Sequence, residues 1–292
     1  MTPNLAFRPN EQDDAELAAI AEHIERRAWI DLIAAAPDWL RRTTGLMTDD
    51  VGGAMLLAAP GIDHLLFNRV IGLGERAPAS EAQIADLMGR YWDLSIERYW
   101  LHVGPYARPA RLGQLLRQQG LTQYRRSWVK MVRPAQRAAS VHTNLRIREA
   151  RADDATAIAS VIGMGLNLPQ CAAELLGLVI GRRGWRVFVA ESSEQIVAAA
   201  GMFCEADVAY MAFAATRPEF RRRGAQRALL QGRINAAADA DRRWIAAETG
   251  FPLTADEPNP SYRNLLWAGF RPVAIRDNYS LPGTLWDHGA NG

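Results

Sequence analysis

The sequence predicts an α/β protein of two compact halves, each a mixed sheet with helices against it. Its length of 292 residues exceeds the roughly 100 to 200 of a single domain. Helical and strand-like periodicities alternate along both halves. Between them, residues 134–143 (PAQRAASVHT) are small, polar and Pro-initiated, which suits a surface linker. The domains expected are residues 1–135 and 144–292.

In the first half, apolar residues recur at helical spacing from Asp14 to Ala36 (Leu17, Ile20, Ile24, Ile30, Ile33, Ala34), behind Asp13, Asp14 and Glu16. That predicts one amphipathic helix or two. Short β-like runs at 53–59 and 64–71 follow, then a helix over 80–93, a strand over 99–103, a helix over 110–119 and a strand over 124–132. The second half opens on the alternation Leu145, Ile147, Glu149, with a helix starting near Asp153 and another over 169–180. Strands are expected at 186–191, 196–203 and 208–215, the last apolar on both faces as a covered central strand would be. Leu230, Ile234 and Ala237 mark a helix, and a strand at 244–248, a helix at 261–268 and a strand at 273–279 complete the half.

Composition narrows the function. With 49% hydrophobic and 23% charged residues the chain is ordinary for a soluble protein. It has no apolar run of the roughly 18 residues that a membrane span needs, and residues 1–14 are too polar for a signal peptide. Cys171 and Cys204 cannot build a disulfide framework and read as reduced thiols of a cytoplasmic protein. One lysine, Lys130, stands among 33 arginines, and the net charge of +2 lacks the basic footprint of a nucleic-acid binder. His23, His64, His102, His142 and His288 show no metal-ligand spacing, so no metal is expected.

The most informative segment is Ala214 to Leu230, AATRPEFRRRGAQRALL. An apolar strand runs into it, Pro218 breaks the strand, and a long helix begins at Gly224. Amides of about Arg222 to Arg227 would be the orphan donors of that helix N-terminus, aimed at an anion and aided by the helix dipole. This segment resembles the R-x-x-G-x-[GA] phosphate loop of the GNAT superfamily of acyl-CoA N-acyltransferases. Arg221 and Gly224 match its first and fourth positions, while Gln226 stands where the family has Gly or Ala. The resemblance covers about residues 145–281, and its second part is NPSYRNLLWAGF at 259–270, which is similar to the family's last helix and terminal Gly-Phe.

The resemblance implies an active GNAT-like second half with a mostly antiparallel sheet; the first half is expected to be a degenerate copy, giving two tandem GNAT-like domains, or another α/β domain without a coenzyme loop. Acetyl-CoA would be the cosubstrate, held by Ala214, Ala215 and Thr216 along the strand, by Arg221, Arg222, Arg223, Gly224, Ala225, Gln226 and Arg227 at the loop, and by Asn259, Ser261 and Asn264 on the last helix. The thioester arm would pair with the strand backbone, where an N–H could hold the oxyanion. The family's tyrosine acid has its place at Leu265 and is missing. No Asp or Glu occurs from Val208 to Thr216, so Glu248 is the first candidate base, with Tyr210 and Tyr262 as candidate acids. For Asn259 and Ser261 the alternative reading is helix capping, and for Glu248 it is pairing with an arginine. Cys171 and Cys204 have no evident base and read as inert.

The first half echoes the second. Leu115 to Leu121 before a strand parallels Leu265 to Phe270, but Gly72 to Pro78, ahead of the helix at 80–93, lacks the phosphate-loop spacing. The function expected is acetyl transfer to a small-molecule or peptide amine by a monomer or homodimer, with no nucleic-acid or membrane partner. A non-catalytic acyl-CoA sensor or an interaction protein of the same fold is the alternative.

Overall fold

The computed structural model describes residues 11–284; residues 1–10 of the polar N-terminal stretch, and His288, lie outside the described residues. The first half runs α1 (Glu11–Ala34), α2 (Asp38–Thr44), β1 (Met47–Val51), β2 (Ala54–Ala58), β3 (Arg69–Ile71), α3 (Glu81–Asp93), β4 (Trp100–Val103), α4 (Leu112–Gln118), β5 (Thr122–Gln123) and β6 (Trp128–Pro134). The second runs β7 (Arg146–Glu149), α5 (Ala155–Leu166), α6 (Gln170–Ala173), α7 (Leu175–Leu178), β8 (Trp185–Ser192), β9 (Gln195–Glu205), β10 (Val208–Thr216), α8 (Ala225–Asp239), β11 (Trp244–Gly250), α9 (Pro260–Trp267) and β12 (Arg271–Ser280). The fold is the expected mixed α/β one, with a mostly antiparallel sheet flanked by helices. Local differences have local causes. The expected helix over 169–180 is two single turns, α6 and α7, broken at Glu174. The strand β1, MTDDV, carries two adjacent acids and shows no strand periodicity.

Tertiary pairing departs further from expectation. Instead of two sheets there is one twelve-stranded sheet, ordered β1-β2-β3-β4-β12-β6-β11-β10-β9-β8-β7, with β5 beside β12. Among the described residues, only β3 with β4 and β10 with β11 are parallel. The last strand of each half lies against the other half. β6, which ends the first half's sequence, pairs with β11 from Trp244↔Pro134 to Gly250↔Trp128 and with β12 on its other edge. β12 reaches back to pair Asp277, Asn278 and Tyr279 with Val103, His102 and Leu101 of β4. The boundary at residues 135–144 therefore divides the sequence but not the sheet.

Side-chain alternation sorts the strands onto two faces. One face carries a core that crosses both halves, with Ile24, Trp29 and Leu32 of α1, Leu57 of β2, Val132 of β6, Ile162 of α5 and Ala246 of β11. The 24-residue α1 lies along this face at mid-sheet and bridges the halves. On the opposite face, α3 and α4 cover the first half through Leu87, Leu101 and Leu116, while α8 and α9 cover the second through Leu229, Ile245 and Leu265. The surface linker of residues 135–143 is tied to α8 and the turn before it. Ala138 N donates to Asn235 Oδ1 (2.9 Å), Val141 N to Gln231 Oε1 (3.1 Å), and Thr143 Oγ1 to Arg223 O (3.0 Å).

A fragment of residues 141–292 lacks β6, which bonds both β11 and β12. It is expected to be unfolded or aggregated by circular dichroism and gel filtration. A folded monomeric fragment would contradict the exchanged-strand description.

Candidate active site

The second half's sheet opens in the middle. β10 and β11 run parallel only from Val208↔Trp244 to Met211↔Ala247. Beyond that point β11 stays with β6 and β10 stays with β9, so the edge of β10 from Ala212 to Thr216 faces the opening with no strand partner on that side. A bulge interrupts the β9 register between Ala212 and Ala214, and Phe213, at the bulge, has φ +34°. A bulge leaves one residue out of the ladder and bends the strand, turning a backbone N–H away from its neighbour. Helix α5 presses on the strand just beyond: a Cβ on Gly165 would come within 2.4 Å of the Ala215 Cβ, so only glycine allows this approach.

The end of β10 leads to the N-terminus of α8. Gly224 is the N-cap with φ +82°, and no side chain caps the helix. Its first amides are thus the orphan donors of a helix start, on the positive end of the dipole. A Cβ at Gly224 would lie an ordinary 3.6 Å from Thr143, so the left-handed backbone, rather than crowding, requires glycine. Arg221, Arg222 and Arg223 are exposed around this turn. Arg223 stacks on Phe220 at 4.9 Å, and Arg227 stacks on Trp267 at 4.7 Å while donating to Asn264 Oδ1 at 3.2 Å. Gln226, the departure from the usual small residue, donates from Nε2 to Thr216 Oγ1 at 2.8 Å and ties the first turn of α8 to the last residue of β10.

The structure thus gathers Ala214 to Thr216, Arg221 to Arg227 and Asn264 at one corner. Ser261 sits half-buried in the first turn of α9. Asn259 caps α9, the second of its two readings: its Oδ1 accepts from Tyr262 N (2.9 Å) and its Nδ2 donates to Gly250 O (2.7 Å). At α3 of the first half, by contrast, the Ser80 side chain accepts from Gln83 N and caps the helix N-terminus.

Glu248 is corrected. Its carboxylate meets Arg69 Nη1 at 3.1 Å, Lys130 Nζ at 3.0 Å and Arg276 Nη2, and its side chain is 3% exposed. A carboxylate bonded to three cations and sealed from water is out of reach of an acceptor amine and is held in its ion pairs. It belongs to a cluster completed by Glu22 and Glu25 of α1, in which Lys130 contacts Glu22 (3.3 Å) and Glu25, Arg276 contacts Glu22 (3.1 Å) and Glu25 (3.0 Å), and Arg69 contacts Glu25 (3.1 Å). Burial pushes the Glu25 carboxyl up, but Arg276, Lys130 and Arg69 outweigh it and hold the group well below the usual carboxylate range. Tyr210 lies on the same buried face, 7% exposed, its phenol raised well above the usual value by burial and by Glu25 and Glu248. Tyr262 is half-buried, edge-on to Phe251 at 5.8 Å, with its phenol pushed up by burial. Leu265 packs in the core beneath α8 and α9 at 5% exposure, so the missing acid is replaced by a structural side chain.

Sequence reasoning missed the bulge at Phe213 and the cation set around Glu248. No residue type announces a bulge. The lone Lys130, on a strand between apolar Val129 and Met131, was a signal for the second. Burial pushes the Cys204 thiol up, as for an inert cysteine. Among the described residues no three His, Cys, Asp or Glu side chains form a metal-binding group, and no single helix is long and apolar enough to cross a membrane.

Comparison with known proteins places this geometry in context. Residues 130–250 match the model of the acetyltransferase (GNAT) domain. Among solved structures, the chain is similar to a GCN5-related N-acetyltransferase from Kribbella flavida at 15% identity and TM-score 0.59, over 90% of this chain and 96% of that one. It is also similar to a GCN5-related N-acetyltransferase from Sphaerobacter thermophilus at 16% identity and TM-score 0.55, over 70% and 68% of the two chains. A functionally unknown conserved protein from Staphylococcus epidermidis follows at 12% identity and TM-score 0.52, over 81% and 93%. At these identities the likeness is one of fold. No curated protein matches the sequence significantly.

Lys130→Met would leave Glu22, Glu25 and Glu248 short of a cation in a buried site, an expected loss of about 3–5 kcal/mol in denaturant unfolding. Because Glu25 has a depressed folded-state pKa, its contribution is present above its unfolded value and is lost as pH falls through the folded one. Acid titration of stability should therefore show a steep decline below about pH 4.5 in the wild type. A loss under about 1 kcal/mol for Lys130→Met would show that the cluster is not a connected unit.

Proposed function

We propose, from the match of residues 130–250 to the acetyltransferase (GNAT) domain and the likeness of fold, that the protein transfers an acetyl group from acetyl-CoA to an amine, a small molecule or a peptide. One juxtaposition carries the reading: an uncapped helix N-terminus at Gly224 directly beside an unpaired strand edge at 212–216. The amides of Ala225 to Arg227, with Arg221 to Arg223 around them, suit a diphosphate. The open edge of β10 suits an extended amide-bearing arm that adds to a sheet as a strand would. These residues fit an acyl-coenzyme A; Asn259 is outside the set.

When bound, that cosubstrate supplies a thioester carbonyl for an amine to attack. The bulged backbone at Phe213 offers an N–H for the oxyanion as the C–N bond forms, and collapse breaks the C–S bond to release the thiolate. Neither proton step has an assigned side chain. Glu248 is occupied, and Leu265 stands in the acid's place. The amine therefore reacts in its neutral form and loses its proton to water, while the thiolate, with a pKa near the 8.5 of a free thiol, leaves unaided or takes a proton from water.

The second reading is an acyl-CoA sensor, favoured by this same lack of a free acid or base. Calorimetric titration with acetyl-CoA, followed by a thiol-release screen over amines, separates the two. Binding with release supports the enzyme, binding without release supports the sensor, and absence of binding rejects both.

Gly224→Val should weaken acetyl-CoA binding at least about tenfold, because valine at φ +82° is strained and displaces the amides. Unchanged affinity in a folded variant would mean that the diphosphate binds elsewhere. The transfer rate should rise with pH until the acceptor amine is deprotonated, with Tyr262→Phe within about twofold of wild type. A loss of about tenfold or more, with removal of an alkaline limb, would name Tyr262 as the acid.

A further inference from the structure

We infer that Trp29 of α1 is a positioning residue for acyl transfer, holding the β10 bulge in the conformation that presents its backbone N–H; this rests on the acyl-transfer reading of the site. Phe213 has φ +34°, a left-handed backbone that a bulky residue keeps only when its surroundings over-determine it. Its ring meets the Trp29 ring edge-on at 5.5 Å and 64°. Trp29 itself is locked. It is 4% exposed, edge-on to Phe67 at 5.6 Å, and covered by the Arg69 guanidinium at 4.8 Å from its centroid. Arg69 in turn pairs with Glu25, one turn back on α1, and with Glu248 on β11, each at 3.1 Å. The contacts run from a helix of the first half, through an ion pair to one lip of the opening at β11, and through aromatic rings to the other lip at β10.

The diphosphate corner lies outside this chain of contacts. α8 covers the opposite face of the sheet, and its N-terminus is joined to β10 through Gln226 and Thr216 rather than through Phe213. Loss of Trp29 should therefore disturb chemistry and spare coenzyme binding, whereas a general loosening of the fold would disturb both.

The test measures kcat, KM and acetyl-CoA affinity for Trp29→Leu, Trp29→Phe and the double variant Trp29→Leu/Phe213→Gly, with folding checked by circular dichroism. Trp29→Leu should lower kcat about tenfold or more with KM and Kd for acetyl-CoA within about twofold. Trp29→Phe should retain most of the activity. The double variant should recover part of the loss, since glycine takes a positive φ without strain. An unchanged kcat in folded Trp29→Leu, or a parallel rise in KM and Kd, would overturn the inference. Should Trp29→Leu fail to fold, Phe213→Ala removes the ring that Trp29 touches; a kcat loss of about tenfold, larger than any rise in Kd, is expected, and an unchanged kcat overturns it. If the wild type binds acetyl-CoA but turns over no amine, acyl transfer fails and positioning is read directly. The Phe213 and Ala214 amide resonances of ¹⁵N-labelled protein should then shift on coenzyme addition in the wild type and not in Trp29→Leu, and equal shifts in both would overturn it.

Discussion

The structure depends on the assembly of six buried charges at mid-sheet, where Glu22, Glu25 and Glu248 meet Arg69, Lys130 and Arg276. Burying such groups costs several kcal/mol per ion, and only simultaneous pairing compensates for it. The six come from five elements, α1, β3, β6, β11 and β12, that lie far apart in sequence. Each element brings charge of only one sign, so none is compensated until it meets the others, and α1 docks, β6 enters between β11 and β12, and β12 reaches toward the first half as parts of one event. The chain's single lysine sits at the centre of the cluster. A compact ammonium with three donors fits among three carboxylates where a planar guanidinium would need more room, which gives a physical reason for a lysine in a chain of arginines.

This constraint explains why the second half is not self-contained. Its sheet opens between β10 and β11, and an opening at the centre of a sheet would tend to close or fray without support on both lips. The first half supplies that support: β6 pairs with the whole of β11, and α1 packs over β10. What remains open is narrow, a strand edge and an uncapped helix start. Helix α3 of the first half is by contrast capped by Ser80, whose side chain takes one of the amides that an anion would need.

Local features were legible in the sequence. The turn at Pro218, the glycine at 224 and the helix after it follow from short-range rules of sterics and capping, and the strands from 185 to 216 follow from short apolar runs bounded by turn residues. Features set by partners distant in sequence were not. Nothing local in Trp128 to Pro134 says that this strand leaves its own half, because strand register records pairing with residues more than a hundred positions away. Glu248 illustrates the same limit. A carboxylate at the end of a strand has the composition of a base, and only Arg69, 179 residues earlier, and Lys130 show that it is spent on structure. Asn259 fell to the simpler of its two readings because Asn-Pro-Ser is a helix start whatever lies nearby.

Native-state hydrogen exchange across the two halves tests the central claim that charge pairing and strand exchange make one cooperative unit. Amides of β4, β6, β11 and β12 should exchange only through global unfolding, with one common free energy and one common dependence on denaturant. If β4 and its neighbours in the first half open at a distinctly lower free energy while β6 and β11 stay protected, the halves are separable and the account is contradicted.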